Sequence, residues 1–300
     1  MPQLNVHALR AALNGQPFGH TIHYHSSVPS TMPLARTLAE GAANPAHISG
    51  SVVVADEQTA GRGRLDRRWE TPPERALLVS LVVAGAHLPE RPAQLPMIAG
   101  LAVLDAVTQA VSLRQFRLKW PNDLVALLPD GPVKVAGLLA ESSLDSQGIR
   151  YAVLGIGVNV NQQADELPTP RPGGLPPASL YTLCGRDFAR EELLIALCRS
   201  LSGLLAAPNH PTAEEVHARW QAALINLGRD VIVYDGRVED TQWRGRALGT
   251  DEDGALLVED ETGQRVAVTA GDVSVEFCPP TRSFGVRDSG NRPDDFWSTV

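Results

Sequence analysis

The chain has 300 residues, 43% of them hydrophobic, which is enough for a sizeable core in one large domain with a small one beside it. Its net charge of −8 excludes a general nucleic-acid binder, which needs a basic footprint over the phosphates. Three scattered cysteines (Cys184, Cys198, Cys278) with no CxxC pair exclude a disulfide frame and a cysteine zinc site, and they fit a reducing compartment.

In chain order, MPQLNVHALR lacks the apolar core of a secretion signal. No apolar run looks long enough to span a membrane, so the chain is expected to be soluble and cytoplasmic. Leu4, Leu9 and Leu13 predict a short helix over 5–13, and Ile22 and Tyr24 alternate in a strand over 20–25. Ser30 and Thr31 precede a helical pattern (Leu34, Leu38) that ends near Gly41. Their hydroxyls are natural N-cap groups, and a helix start also presents free N–H donors to a polar ligand. The apolar runs SVVVA (51–55) and LLVSLVVA (77–84) predict two strands.

Between those strands lie Gly61, Gly63 and four arginines, Arg62, Arg64, Arg67 and Arg68. Glycine lets backbone wrap closely around a ligand, and each guanidinium offers a planar fork for a carboxylate or phosphate. Four such cations within one loop repel one another, so the loop is expected to be poorly ordered until an anion arrives.

Residues 97–111 read as a buried helix and 117–120 as a short strand running into KWPNDL (119–124). Lys119 therefore sits at a strand end, just before a turn made by Pro121, Asn122 and Asp123. Residues 124–128 and 133–142 flank PDGP as a hairpin, and Gly137 within the second strand implies a bulge or a close approach. A further strand over 150–160 ends in GIGVNVN. The third glycine and following helix of a Rossmann fingerprint are missing, and no GxxxxGK[ST] occurs, so any nucleotide binds in another way.

A proline-rich loop (162–178) leads to two amphipathic helices near 190–206 and 213–223. From Leu227 short apolar runs (231–234, 238–243, 255–260, 264–268, 273–277) alternate with Asp-Gly and Thr-Gly turns. These predict a small antiparallel barrel. The polar stretch 279–300 reads as disordered.

Ser30-Thr31, Gln58, GRGR (61–64), Trp69, KWPNDL (119–124), KVAGLLAE (134–141) and GIGVNVN (155–161) occur together and in this order. In this the chain resembles the biotin protein ligases, also called biotin–[acetyl-CoA-carboxylase] ligases, over about residues 20–160. The resemblance implies an α+β fold: a mixed β-sheet catalytic domain packed with helices, class II synthetase-like, plus a small SH3-like β-barrel. The expected division is 1–226 catalytic, 227–278 SH3-like and 279–300 tail.

The implied chemistry is ATP-dependent attachment of biotin, through biotinyl-5′-AMP and with Mg²⁺ accompanying ATP, to a lysine of a biotin carboxyl carrier domain. Carried over from the family, Arg64 and Lys119 are catalytic. Ser30, Thr31, Gln58, Arg62, Gly63, Arg64, Lys119 and Gly137 hold biotin. Gly61, Arg62, Arg64, Trp69, Asn122, Lys134 and Asn159 hold ATP and the adenylate, with Trp69 stacking on adenine and Asn159 reaching its edge.

The family's x-Gly-Arg after GRGR is Leu65-Asp66-Arg67 here, and Met32 stands where asparagine is common. The helix-turn-helix of repressor-type members is absent, so operator binding is not expected. Members often pair through the central sheet, which leaves a homodimer open. Two rival readings are a lipoate–protein ligase of the same superfamily and a non-catalytic biotin or adenylate sensor. Biotin-dependent ATP–pyrophosphate exchange separates the sensor from the enzyme, and the GRGR–KWPND combination is one that lipoate-attaching sequences generally lack.

Overall fold

The computed structural model describes residues 3–65, 67–111, 115–146, 148–170, 174–206, 208, 210–234, 242–269 and 271–275. The Asp235-Gly236 turn, Asp66, Cys278 and the 279–300 tail lie outside the described residues.

The larger unit is a seven-stranded sheet. Its strands are β1 (Ile22–His25), β2 (Val52–Ala55), β3 (Ala76–Ala84), β4 (Phe116–Lys119), β5 (Asp123–Leu128), β6 (Gly131–Asp145) and β7 (Gly148–Asn159). They lie in the order β1-β2-β3-β7-β6-β5-β4, with β1 and β2 parallel and every other pairing antiparallel. Helices cover both faces, which is why β2 and β3 read as unbroken apolar runs rather than as alternating patterns.

Val52, Val54, Leu77, Val79 and Leu81 point into the main core, as do Leu154, Ile156 and Val158. That core is shared with helices α1 (Val6–Ala12), α3 (Leu95–Ala110), α5 (Arg190–Leu205) and α6 (Ala213–Ala223). The opposite face carries α2 (Thr31–Gly41), whose Met32, Ala35 and Ala39 pack on Val53, Val82, Tyr151 and Val153.

Residues 92–110 form a helical stretch of 19 residues that is long and apolar enough to cross a membrane, contrary to the expectation of no such run. Its apolarity has another cause. Leu95, Met97, Ile98, Leu101 and Val103 are each at most 2% exposed, because α3 lies between the sheet and α5.

The smaller unit is an antiparallel sheet of β8 (Asp230–Tyr234), β9 (Gln242–Thr250), β10 (Leu256–Asp260), β11 (Arg265–Val268) and β12 (Asp272–Val275), in the order β11-β10-β9-β8-β12. Of the run expected at 238–243, residues 238–241 lie outside the described residues, while Gln242 and Trp243 open β9, which continues to Thr250. Gly245 and Gly249 hide this strand from a reading based on β-branched residues.

Several bonds fix the small sheet to the large unit. The Trp120 indole N–H donates to the Gly254 carbonyl at 2.8 Å. The Thr250 N–H donates to Gln221 Oε1 at 3.1 Å, and Arg91 pairs with Glu252.

A five-residue helix, α4 (Leu180–Cys184), was not expected. It forms because Ser179 and Thr182 cap it reciprocally.

Candidate active site

On the α2 face of the sheet lies a cavity of about 450 Å³, within the usual range for a small-molecule site. Its floor follows from strand periodicity. Leu154, Ile156 and Val158 of β7 enter the main core, so the alternate residues Gly155 and Gly157 face the cavity and leave it bare. Gly137 of β6 pairs directly with Gly157 and adds a third bare position.

What lies over these glycines shows why they are glycines. A Cβ on Gly157 would stand 2.6 Å from Trp69 Cε2, and one on Gly137 would stand 2.8 Å from Trp69 Cζ3. The Trp69 indole rests directly on the sheet backbone, as the close approach expected at Gly137 requires. Met32 does the same at the other end, its sulfur 2.6 Å from where a Gly155 Cβ would be.

Ser30 and Thr31 form one end of the cavity, 4% and 2% exposed. The expected hydroxyl cap is not made: Ser30 is the N-cap residue of α2, but its side chain bonds no helix N–H. Gln58 takes that role, its Oε1 accepting from the Thr31 N–H at 2.8 Å and from the Thr31 hydroxyl at 3.0 Å. The Thr31 hydroxyl also meets Ser80 Oγ at 2.8 Å. Freed from capping, the Ser30 hydroxyl belongs to the cavity wall.

Lys119 and the arginine loop form the other end. Lys119 is 9% exposed at the end of β4, and burial pushes its ammonium below the ordinary lysine value, against the pull of Asp123 and Asp272. Burial likewise lowers Arg64, whose guanidinium donates to Asn122 Oδ1 at 3.4 Å. Asn122 in turn donates to the Leu138 carbonyl at 2.6 Å, so one amide ties the loop to β6.

The loop itself is a hairpin. Arg62 pairs with Arg68, the Trp69 N–H donates to the Gly61 carbonyl at 3.0 Å, and the Gly63 N–H donates to the Arg67 carbonyl at 2.7 Å. Leu65 at its tip has φ 54°, the left-handed region that leucine rarely adopts.

Carboxylates from elsewhere in the chain offset part of the positive charge in and beside this loop. Lys134 pairs with Asp123 at 2.7 Å and lies 5.6 Å from the centre of the Trp69 ring. Arg67 pairs with Asp272 of the small sheet. Burial pushes the Asp272 carboxyl up. The Arg67 hydrogen bond and the charges of Arg67, Lys119 and Arg64 outweigh it and hold the group below its ordinary value.

The cavity thus brings together Ser30, Thr31, Gln58, Arg62, Gly63, Arg64, Trp69, Lys119, Asn122, Lys134, Gly137 and Asn159. Gly61 does not line it: a Cβ there would stand 2.3 Å from the Trp69 carbonyl oxygen, so this glycine serves the hairpin turn. Much of the Asn159 amide is already committed, donating to the Ala178 carbonyl at 3.2 Å and accepting from Gln162 at 2.9 Å. Sequence reasoning missed Asp272, Val273 and Ser274, which also line the cavity. Only their place in a glycine-led strand after Gly271 marks them in the sequence.

A triad of buried Arg190, buried Asp56 and half-buried Tyr24 supports the entrance to the loop. Arg190 donates to Asp56 at 2.8 Å, and the Tyr24 hydroxyl donates to the other Asp56 oxygen at 2.6 Å. Burial and that carboxylate push the Tyr24 phenol up to about 12.

The geometry has clear counterparts among known proteins. The model of the "Biotin/lipoate A/B protein ligase family" matches residues 25–159, and that of "Biotin protein ligase C terminal domain" matches residues 227–275. The chain is 30% identical over 279 residues to the biotin–[acetyl-CoA-carboxylase] ligase of Mycobacterium tuberculosis, covering 91% of this chain and 96% of that one. It is 34% identical over 226 residues to the enzyme of the same name from Paracoccus denitrificans, covering 74% and 90%. Its structure is similar to that of the Aquifex aeolicus biotin protein ligase in complex with biotin and ATP. The TM-score there is 0.65 at 28% identity, over 85% of this chain and 98% of that one.

Proposed function

The chain belongs to the biotin protein ligase family, and from that premise we propose how its cavity divides the work of attaching biotin to a carrier protein. The overall reaction is ATP-dependent biotinylation of the biotin carboxyl carrier protein of acetyl-CoA carboxylase. The biotin carboxylate attacks the α-phosphorus of ATP and pyrophosphate leaves. The ε-amine of the carrier lysine then attacks the acyl carbon of biotinyl-5′-AMP and AMP leaves.

In this reading Ser30, Thr31 and Gln58 receive the ureido end of biotin, a ring rich in one carbonyl and two N–H groups that suits hydroxyls and an amide. Arg62, Gly63 and Gly137 line the path of its valeryl chain. Lys119 and Arg64 meet the carboxylate and α-phosphate oxygens, where negative charge gathers during transfer. Adenine stacks on the cavity side of Trp69. Asn159 offers its remaining N–H, and Asn122 and Lys134 steady the phosphates.

Closing the arginine hairpin keeps water from the mixed anhydride. Because charge and position supply most of the catalysis, no protein nucleophile is required.

Among the described residues no three His, Cys, Asp or Glu side chains converge. Asp123 and Asp272 already face Lys134 and Arg67. The residues therefore do not fit a resident metal, and we assign Mg²⁺ to the nucleotide as MgATP, held through its phosphates.

The same reading takes 1–226 as the catalytic domain, 227–278 as the C-terminal domain and 279–300 as a tail. It includes a cytoplasmic enzyme and no nucleic-acid partner given the charge of −8, and it leaves a homodimer through the central sheet open.

The observation that carries this assignment is the single cavity joining the Ser30–Thr31–Gln58 end to the Lys119–Arg64 end across a glycine floor. Incubation with biotin, MgATP and a carrier domain, read by streptavidin blot, tests it. Carrier labelling that needs both biotin and ATP is expected, and its absence with a folded enzyme would refute the reading.

A further inference from the structure

We propose that Asp272 is a positioning residue of this enzyme: from the small sheet it grips Arg67 and so holds the arginine hairpin over the cavity before any substrate arrives. The proposal rests on reading that hairpin as the cover of the adenylate.

Three observations support it. First, the carboxylate has a rigid mount. Asp272 opens β12, pairs with Tyr234 of β8, and belongs to a sheet fixed to the large unit through Trp120, Gln221 and Arg91. Second, its partner is well chosen. The Arg67 carbonyl accepts the Gly63 N–H at 2.7 Å and the Arg67 N–H donates to the Arg64 carbonyl at 3.2 Å, so fixing Arg67 fixes the turn that carries Gly63 and Arg64.

Third, a carboxylate beside the place for a triphosphate works against ATP and calls for a reason. Its field reaches Lys119 and Arg64 and favours their charged forms, offsetting the burial that disfavours them. Asp272 therefore favours the charged forms of these cations in the way a bound phosphate would. With both side chains about a third exposed, the pair is screened enough to open when a phosphate arrives.

The test uses the full chain. In the ligand-free enzyme, trypsin cleavage at Arg62, Arg64, Arg67 and Arg68 reports whether the hairpin is held. Asp272→Asn keeps the side-chain shape and removes the charge. It is expected to speed cleavage about 1.5–5-fold and to raise the ATP KM about as much, with kcat nearly unchanged, as for loss of a partly exposed ion pair. Asp272→Glu should restore most of both.

Arg67→Lys retains the charge and the tryptic site but loses the planar fork. It should speed cleavage in the same direction, and combining it with Asp272→Asn should add little, since the two act through one contact. An unchanged cleavage rate in both variants would overturn the proposal. So would additive effects in the double variant, or faster cleavage spread over the small sheet without rescue by glutamate. Because ligand-free proteolysis needs no turnover, these outcomes are distinct from a failure of the parent enzyme to biotinylate a carrier.

Discussion

Gly157→Ala asks whether the cavity floor must be bare. A Cβ at this position would stand 2.6 Å from Trp69 Cε2, 2.8 Å from Nε1 and 3.0 Å from Cζ2, whereas ordinary contact begins near 3.4 Å. The strand cannot recede, because Gly157 is paired on both sides, to Leu78 of β3 and to Gly137 of β6. The indole must therefore rise by about 0.8 Å, the difference between 3.4 and 2.6 Å.

Overpacking of this kind costs about 1–3 kcal/mol, and the ring's partial exposure places the folding cost toward the lower end. With adenine stacked on Trp69 as proposed above, the larger effect falls on the nucleotide, because the raised indole then intrudes on that space. If a similar penalty of about 1.4–2.8 kcal/mol falls on ATP binding, the ATP KM rises about 10–100-fold. Biotin-dependent ATP–pyrophosphate exchange measures it, with biotin KM as the internal reference. Gly203→Ala serves as the control, since a Cβ on that exposed position in α5 meets nothing within 4 Å. It should leave kinetics unchanged and stabilise the helix by about 0.5–1 kcal/mol. A Gly157→Ala enzyme with the parent's ATP KM would show that the indole does not bound the nucleotide site.

Lys119→Met should abolish most activity, by at least about 100-fold, and yet raise stability at pH 7 by about 0.5–2 kcal/mol. Burial lowers this ammonium in the folded state, so between its folded and ordinary values the unfolded chain binds more protons. Stability contributed by the group therefore rises with pH through that window, and the advantage of methionine should shrink on going alkaline. Urea unfolding at pH 7 and pH 10 checks this, and a methionine variant less stable than the parent at neutral pH would contradict it. Arg64→Ala should release biotinyl-AMP and label bystander lysines, seen as smeared streptavidin signal on mixed proteins; carrier labelling at the parent's rate and selectivity would count against the hairpin as a cover. Arg190→Ala leaves the buried Asp56 carboxylate without its cation and should cost about 3–5 kcal/mol in urea unfolding, whereas a loss under 1 kcal/mol would mean that the pair is dispensable.

Much of the large unit was legible because each strand and helix buries a face, and burial writes itself into local patterns. The runs at β2 and β3, the 3.6-residue spacing in α5, and the strand end at Lys119 all behave this way. Gly137 was readable as a close approach, although nothing local says that Trp69 is what approaches. The site residues from the arginine loop and KWPNDL came with their motifs.

What escaped depends on distance along the chain. Asp272 lies far from Lys119 in sequence and meets the cavity only through the docking of one sheet on another. Gln58 as the cap of α2 was hidden for the same reason, because hydroxyls next to a helix start suggest a local cap. α4 is too short to show a period, and β9 carries glycines where a strand reader seeks branched side chains.

Lys119 is followed directly by Trp120, whose indole is moored to the Gly254 carbonyl across the seam between the two sheets. The bond that docks the smaller sheet therefore also anchors the residue adjoining the Lys119 ammonium, so loosening the docking and displacing that ammonium are a single event.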